Sequence, residues 1–442
     1  MTQRQCWFGP GEVAPDSDFS LENIPFGIIS TKDIPRPHAA VAIGKYACDL
    51  EVFSKHAYFH EHLFPFLRDH PDVFCQPTLN AFAALGREVH NRVRATLQDC
   101  FTRDHESSNI AAEAGQFVRM LWPLDEVTMH LPMQIGDYTD FYAGVVHATH
   151  VGTMFRGADN ALQPNYSHIP VGYHGRASSV VVSGTPIRRP WGQVVADPKR
   201  APTQPETRPS QKLDFEVELG CFISRPNEMG EPVPIEDAED HIFGYVLLND
   251  WSARDIQAWE YVPLGPFNGK NFATTISPWV VLHDALKPFM TAGEPNDTEL
   301  QPYLQEKSRN NVFDIKLEAD LRTPSGEDLK LTRTNAKHLL WSFPQMIAHH
   351  TVGGCPLRTG DLLGSGTISS ESEQGDGGGS LLELSENGKK ELELQVSSGI
   401  EKRTFLLDGD TVIIRGFAFD GEKGRVGFGE CVGCIEGALS RV

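Results

Sequence analysis

The segment Leu213–Leu219, LDFEVEL, alternates apolar and acidic side chains. In an extended strand, successive side chains point to opposite faces of the sheet. We therefore predict one continuous strand, with its apolar side chains on one face and Glu216 and Glu218 on the other. Two carboxylates on neighbouring same-face positions repel each other, so this acidic face either meets water or surrounds a cation.

Further segments of strand-like composition, punctuated by glycine, begin at about Leu131 and predict a mainly β (α+β) chain. They are Val180–Gly184, Leu213–Ile223, Ile242–Asp250, Trp279–His283 and Thr404–Phe417. The earlier part of the chain predicts two short strands, Phe26–Ile29 and Ala40–Gly44, and a helix around Pro77–Thr96. The polar stretches Asp197–Lys212 and Glu371–Ser380 are predicted to be exposed loops.

Two further acids, in other segments of the chain, could join Glu216 and Glu218 at one site. Asp140 lies beside aromatic residues in Asp137–Tyr142, and Asp250 ends the apolar strand predicted over Ile242–Asp250. With Glu216 and Glu218 they would offer oxygen ligands only, which favours a hard cation such as Ca²⁺ or Mg²⁺ over Zn²⁺. Spacing along the chain does not show that the four acids converge.

The residues after Asp250 predict a helix over Trp251–Tyr261. Helical spacing puts a cation, an amide and a phenol on the same side as Asp250, namely Arg254, Gln257 and Tyr261. A surface salt bridge between Asp250 and Arg254 is the alternative interpretation. In the loop that follows, Lys270 is either a surface residue or a group that stabilises developing negative charge.

A general base and its partner are predicted from one histidine and one distant acid. His147 follows Asp140 by seven residues, and a lone histidine of this kind is either structural or catalytic. To act as a base it needs an acid that fixes its tautomer and stabilises the imidazolium. Glu383, flanked by leucines, is the best candidate, with Glu371 and Glu373 as alternatives.

Composition limits the classes of protein that fit. The chain has 442 residues and a formal net charge of −20, which disfavours a nucleic-acid-binding surface and favours a bound cation. Its eight scattered cysteines predict reduced thiols, and the CxxC pair Cys431 and Cys434 is interpreted as ordinary core cysteine. With no long apolar run and no signal-like start, we expect a cytoplasmic protein with no membrane partner.

Several motifs together resemble the fumarylacetoacetate hydrolase family in its long, two-domain form, and the resemblance covers nearly the whole chain. The motifs are DYTDFY at 137–142, HAT at 147–149, MFRG at 154–157, PVGYHGRASS at 170–179, DFEVE at 214–218, LNDWSARD at 248–255 and GSGTIS at 364–369. The resemblance implies an SH3-like N-terminal domain over residues 1–132. Residues 133–442 would then form a catalytic mixed β-sandwich roll, with a homodimer as the expected assembly.

The resemblance also implies roles for individual residues. The expected Ca²⁺ ligands are Asp140, Glu216, Glu218 and Asp250, and the positions associated with Mg²⁺ are Asp250, Lys270 and Thr274. The expected catalytic residues are His147, Glu383, Arg254, Gln257 and Lys270. The expected contacts to a small anionic diketo acid are Tyr142, Arg156, Tyr173, Gln257, Tyr261 and Thr367.

The implied reaction is metal-dependent hydrolysis of the carbon–carbon bond of fumarylacetoacetate to fumarate and acetoacetate, the last step of tyrosine and phenylalanine breakdown. His147 would activate water for attack on the carbonyl next to the fumaryl group. One alternative is another diketo-acid hydrolase, or a decarboxylase/isomerase of the same superfamily. The other is a non-catalytic Ca²⁺-binding scaffold, against which His147, Arg254 and Lys270 argue, because metal binding does not need them.

Overall fold

The structure is a computed structural model that describes residues 6, 13–14, 16–55, 63–103, 120–195, 203–397 and 399–440. Within these residues the chain is mainly β, as predicted, and three larger sheets carry most of the fold. Four two-stranded pairs complete the β-structure. Cys431 and Cys434 lie in one strand and are free thiols.

An antiparallel five-stranded sheet, here called the N-terminal sheet, contains the two strands predicted in this region. Its strands in spatial order are Leu121–Pro123, Tyr46–Asp49, His38–Ile43, Phe26–Ser30 and Thr128–His130. The helices packed near it include Leu50–Lys55, Asn80–Ala83 and Arg87–Phe101. The single helix predicted around Pro77–Thr96 is therefore two helices, because Gly86 between them has a φ of 85° that interrupts helical geometry.

The central sheet has eight strands and positions the acidic residues. Its spatial order is Gly172–His174, Tyr138–Phe141, Leu362–Gly364, Val217–Ile223, Ile242–Asp250, Thr274–Ile276 and Val180–Val182, and Val281–Leu282 also pairs with Ile242–Asp250. Glu218 lies opposite Leu248 on the next strand, and Asp250 lies opposite Thr274. Asp140 lies opposite Gly364 on a parallel strand.

One face of the central sheet is apolar at one end of its strands and acidic at the other. Tyr138, Phe222 and Val246 belong to the same hydrophobic cluster as the N-terminal residues Phe26 and Phe82. Since alternate residues share a face, Asp140, Glu218 and Asp250 lie on this same face, further along the strands. The N-terminal region therefore covers the apolar end of the face whose other end is acidic.

The predicted strand Leu213–Leu219 is interrupted. Leu213–Asp214 pairs with Ser252–Ala253, whereas the strand of the central sheet begins at Val217. The break at Phe215 and Glu216 occurs where Asp214 accepts a hydrogen bond from the backbone N–H of Phe215 (2.8 Å). Both faces of the segment are buried, so the solvent-exposed alternative for Glu216 and Glu218 is wrong.

A second five-stranded sheet, the C-terminal sheet, packs against the central one. Its strands in order are Asp328–Asn335, Lys316–Arg322, Thr411–Asp420, Gly424–Glu436 and Ile187–Arg188. The remaining two-stranded pairs are Trp191–Val194 with Glu206–Pro209, Met290–Ala292 with Asn310–Phe313, and Leu392–Val396 with Gly399–Arg403. Residues 197–202 of the loop predicted over Asp197–Lys212 lie outside the described residues. The rest of it contains a strand, because Glu206–Pro209 pairs with Trp191–Val194.

The α-helices after the N-terminal sheet, within the described residues, are Val145–Arg156, Arg254–Glu260, His283–Leu286, Phe343–Thr351 and Leu381–Leu384. The helix predicted over Trp251–Tyr261 begins three residues late, since Ser252–Ala253 first pairs as a strand with Leu213–Asp214. Asp250 consequently belongs to the end of a strand and does not share a helix with Arg254.

Candidate metal centre and active site

Three carboxylates from three strands of the central sheet form a buried acidic triad. Candidate ligand oxygens of Asp140, Glu218 and Asp250 all lie within 4.8 Å of one another, and the three residues are no more than 2% exposed. Burial, followed by repulsion from the neighbouring acids, raises the pKa of Asp140 and of Glu218 well above the ordinary range. A divalent cation among these oxygens would remove that repulsion.

Two further observations fit a cation at the triad. Within the described residues, Asp140 Oδ1 and Glu218 Oε1 are buried without a hydrogen-bond partner, which is costly for a carboxylate oxygen. Gly364 also leaves the space between them open, because a Cβ at this position would lie 2.4 Å from Asp140 Oδ1 and 3.1 Å from Glu218 Oε2. The acidic triad can therefore hold a metal ion with oxygen ligands.

The fourth predicted ligand, Glu216, is held by two cations. Its Oε1 accepts a hydrogen bond from Arg254 Nη2 (2.8 Å), and its Oε2 accepts one from Lys270 Nζ. Burial works to raise the pKa of Glu216, but the charges of Lys270 and Arg254 outweigh it and lower that pKa. Glu216 is thus an ionised carboxylate paired with two buried cations, one of which also contacts the acidic triad.

Lys270 is buried, so its interpretation as a surface residue is wrong. Its ammonium also donates to Asp250 Oδ2, and the charges of Asp250 and Glu216 raise its pKa against the opposing effect of burial. An ammonium has no lone pair, so the Lys270 side chain does not serve as a metal ligand in this state. Thr274, the other position associated with Mg²⁺, donates from Oγ1 to Asp250 Oδ1 at 3.5 Å.

Asp214 is a site residue that the sequence reasoning missed. It is fully buried and accepts a hydrogen bond from Arg254 Nε (2.8 Å), and this contact replaces the predicted surface pair of Arg254 with Asp250. Asp214 also accepts from the backbone N–H groups of Leu381 and Leu382 (2.7 and 2.9 Å). One carboxylate therefore joins Arg254 to the start of the helix that carries Glu383.

His147 and Glu383 form a buried pair. His147 Nδ1 lies 2.7 Å from Glu383 Oε2, and both side chains are at most 4% exposed. Contact at Nδ1 leaves Nε2 as the nitrogen that can take a proton from another molecule. The rings of His147 and Tyr142 meet edge to face with centroids 5.4 Å apart.

The Glu383 carboxylate is surrounded by donors. Its Oε2 also accepts from Ser369 Oγ (2.9 Å) and Ser380 Oγ (3.0 Å), while its Oε1 lies 2.9 Å from His150 Nδ1. Of the alternative acids, Glu371 lies 3.2 Å from His150 Nε2 with its side chain 83% exposed, and Glu373 is exposed. Glu383 is therefore the acid that the fold brings to His147.

Of the predicted substrate contacts, Tyr173 and Gln257 touch residues of this centre directly. Tyr173 donates to Asp250 Oδ2 (3.1 Å), and Gln257 Oε1 accepts from Arg254 Nη1 (3.3 Å). Thr367 is buried, with its carbonyl oxygen so close to Gly144 that a Cβ there would lie 2.2 Å away. Arg156 is exposed and its guanidinium donates to backbone carbonyls of its own loop, while Tyr261 is 54% exposed beyond the helix Arg254–Glu260.

Acid should weaken the contribution of Glu383 to stability. Burial opposes ionisation, but the charge of His147 and the hydrogen bonds around the carboxylate lower the pKa of Glu383 from 4.5 to about 2. A folded-state pKa below the unfolded value stabilises the protein above the unfolded pKa, and the gain is lost as the pH falls toward the folded pKa.

We therefore expect the free-energy difference between the wild type and Glu383→Gln to be smaller at about pH 3.5 than at about pH 7. Chemical denaturation of both proteins at the two pH values measures this difference. An equal difference at both values would contradict an ionised, stabilising Glu383.

An acidic triad able to hold a divalent ion and a buried imidazole–carboxylate pair in one chain are features expected of a metal-dependent hydrolytic enzyme. Residues 138–436 match the family model described as fumarylacetoacetate (FAA) hydrolase C-terminal, and residues 22–132 match the one described as fumarylacetoacetase N-terminal. This chain belongs to the fumarylacetoacetate hydrolase family.

Individual relatives match over nearly their whole length. Fumarylacetoacetase fahA of Aspergillus fumigatus is 58% identical over 432 residues, covering 97% of this chain and 98% of the relative. The fumarylacetoacetase of Rattus norvegicus is 49% identical over 434 residues, with the same coverage of each chain. A solved fumarylacetoacetate hydrolase from Exiguobacterium antarcticum is 17% identical, covers 94% of this chain and 99% of its own, and has a TM-score of 0.49.

No helix in the described part of the chain has the length and apolar character needed to cross a membrane.

Proposed function

We propose that this enzyme hydrolyses the carbon–carbon bond of fumarylacetoacetate, giving fumarate and acetoacetate as the last step of tyrosine and phenylalanine breakdown. The observation that carries the proposal is the contact of 2.7 Å between His147 and Glu383 in a chain that also forms the acidic triad. The assignment of the substrate rests on the relatives named fumarylacetoacetase, which match this chain almost from end to end.

His147 is the proposed general base. Glu383 accepts a hydrogen bond from the Nδ1–H group of His147. This bond holds the ring in one tautomer and stabilises the imidazolium that forms when Nε2 takes a proton from water. The resulting hydroxide attacks the carbonyl carbon next to the fumaryl group. Because Glu383 stays ionised at neutral pH, it can stabilise the positive ring throughout this step.

The tetrahedral intermediate then collapses with cleavage of the carbon–carbon bond. The bonding electron pair leaves with the acetoacetate fragment as an enolate, which takes up a proton to give acetoacetate, while the fumaryl fragment leaves as the carboxylate. Arg254 and Lys270 are buried cations whose donors point into the acidic region, and Gln257 contacts Arg254. We assign these three residues to stabilising the negative charge that develops on the oxygens.

The proposed metal is Ca²⁺ or Mg²⁺, held by Asp140, Glu218 and Asp250, with Glu216 as a fourth acid nearby. Oxygen-only ligands favour these hard cations. A divalent ion bound there would supply positive charge next to the substrate oxygens. The unpartnered oxygens of Asp140 and Glu218 and the open position at Gly364 support this assignment.

The remaining residues are proposed to recognise the anionic ends of the substrate. Arg156 offers a planar guanidinium that can bind a carboxylate in two places, once it exchanges its present backbone carbonyl partners. Tyr142, Tyr173, Tyr261 and Thr367 supply hydroxyl groups around the same centre. Assembly as a homodimer, a cytoplasmic location and a domain boundary after residue 132 stay predictions.

The test is a product analysis with and without metal. Incubation with fumarylacetoacetate should consume the diketone and release fumarate and acetoacetate in equal amounts, as measured by absorbance and chromatography. Chelation should abolish turnover, and adding Ca²⁺ or Mg²⁺ should restore it, because the acidic triad would otherwise repel an anionic substrate.

Two other outcomes of this product analysis would contradict the proposed reaction. Release of CO₂ in place of two carboxylic acids would replace the proposal with a decarboxylase. Metal binding without any loss of diketone absorbance would indicate a non-catalytic scaffold. Either result would contradict the assignment of His147 as a water-activating base.

A further inference from the structure

A second histidine contacts the acid of the catalytic pair. His147 and His150 lie one turn apart on the helix Val145–Arg156, and their Nδ1 atoms approach different oxygens of Glu383, at 2.7 and 2.9 Å. Residues three positions apart on a helix face the same way, so the helix presents both rings to one carboxylate. Glu383 is thus shared between a buried imidazole and one that is 33% exposed.

We propose that His150 is a positioning residue for the reaction, which holds Glu383 Oε1 and competes with His147 for the negative charge of that carboxylate. The inference rests on the proposed function of His147 as the base. His150 does not need to touch the substrate, because it acts through Glu383.

The charged groups around His150 determine its protonation state. Glu383 faces it from the helix Leu381–Leu384 and Glu371 from the adjoining loop, while His147 on its own helix meets it only through Glu383. The hydrogen bond to Glu383 raises the pKa of His150, burial opposes this, and Glu371 adds to the rise. His150 therefore keeps its positive charge to a higher pH than an ordinary histidine does.

This positive charge has a consequence for His147. A charged His150 neutralises part of Glu383, so Glu383 stabilises a protonated His147 less strongly. The free base of His147 that activates water is then favoured over the imidazolium. Without the charge of His150, the enzyme should need a higher pH to reach full activity.

Two variants separate the charge of His150 from its hydrogen bond. In His150→Asn the amide can still donate to Glu383 Oε1 but carries no charge, so we expect the acidic limb of the kcat/KM profile to move up by about half to one pH unit. In His150→Leu both effects are lost, so the plateau of kcat should fall by about tenfold, and further than in His150→Asn. The KM for substrate should change less than kcat in both.

A matched histidine–glutamate pair provides the control. His338 Nδ1 lies 2.5 Å from Glu294 Oε1 and has no contact with Glu383, so His338→Asn should leave the pH profile unchanged. An acidic limb of His150→Asn that superimposes on that of the wild type would overturn the proposed effect of charge. Equal plateaus for His150→Leu and His150→Asn would overturn the proposed positioning by the hydrogen bond.

A measurement without substrate distinguishes this inference from the proposed function. The imidazole NMR signal of His150, assigned by its absence from His150→Asn, should titrate above about pH 6.5 in the wild type and at a lower pH in Glu383→Gln. Titration at the same pH in both proteins would overturn the coupling even in an active enzyme. Absence of fumarylacetoacetate cleavage by the wild type would instead contradict the function proposed above.

Discussion

Replacing His147 with alanine should lower kcat for fumarylacetoacetate by about a thousandfold, because general-base catalysis commonly contributes between roughly a hundredfold and ten-thousandfold. The ring is buried against Glu383, and the alanine variant has no group that can take the proton from water. The measurement is steady-state turnover at the pH of the wild-type plateau. Circular dichroism and metal titration should show that the variant still folds and binds a divalent ion, since His147 is not a proposed ligand.

The control for this substitution is His338→Ala, which removes another histidine paired with a glutamate. It should retain turnover within about twofold of the wild type, as expected for a partly exposed pair outside the site. Near-normal turnover of His147→Ala would remove this histidine from the reaction, whatever its contact with Glu383.

A single methyl group at position 364 should close the metal centre. In Gly364→Ala the new Cβ would lie 2.4 Å from Asp140 Oδ1, so the carboxylate must move away from the acidic triad. We expect the affinity for Ca²⁺ or Mg²⁺ to fall by at least about tenfold and turnover to fall by about a hundredfold. Isothermal titration with each metal and a turnover assay measure the two effects.

Gly353→Ala is the matched control, because nothing lies within 4 Å of a Cβ at that position. It should bind metal and turn over substrate like the wild type. If Gly364→Ala fails to fold, Glu218→Gln provides the same test, since it keeps the side-chain volume and removes one anionic ligand. Unchanged metal affinity in both Gly364→Ala and Glu218→Gln would contradict a metal centre at the acidic triad.

Much of the fold was predictable because the pattern along a strand is local. Ile242–Asp250 was predicted with its observed bounds, as a buried strand that ends in an acid. The break in Leu213–Leu219 was not predictable from the pattern, because Asp214 there accepts hydrogen bonds from residues more than 160 positions away as well as from Phe215. Likewise, Ser252–Ala253 reads as the start of a helix until its partner strand is known.

The site shows the same division between local and distant information. The residue types of the acidic triad indicated a hard cation, but spacing along the chain did not show that the acids converge, since three separate strands supply them. His150 directly follows the HAT motif, but nothing local singles it out, because only the fold brings Glu383 to both histidines. Of the serines around Glu383, Ser380 precedes it with the S-x-x-E spacing of a helix N-cap, whereas Ser369 comes from a separate segment that only the fold brings close.

The face that carries Asp140, Glu218 and Asp250 is continuous with the apolar cluster shared with the N-terminal region. That region therefore keeps water away from one side of the acids and lowers the local dielectric constant. Each charge consequently interacts more strongly with its neighbours. Loosening the aromatic packing around Phe82 and Phe243 would let solvent reach the acidic triad from behind, without changing any residue proposed to contact the substrate.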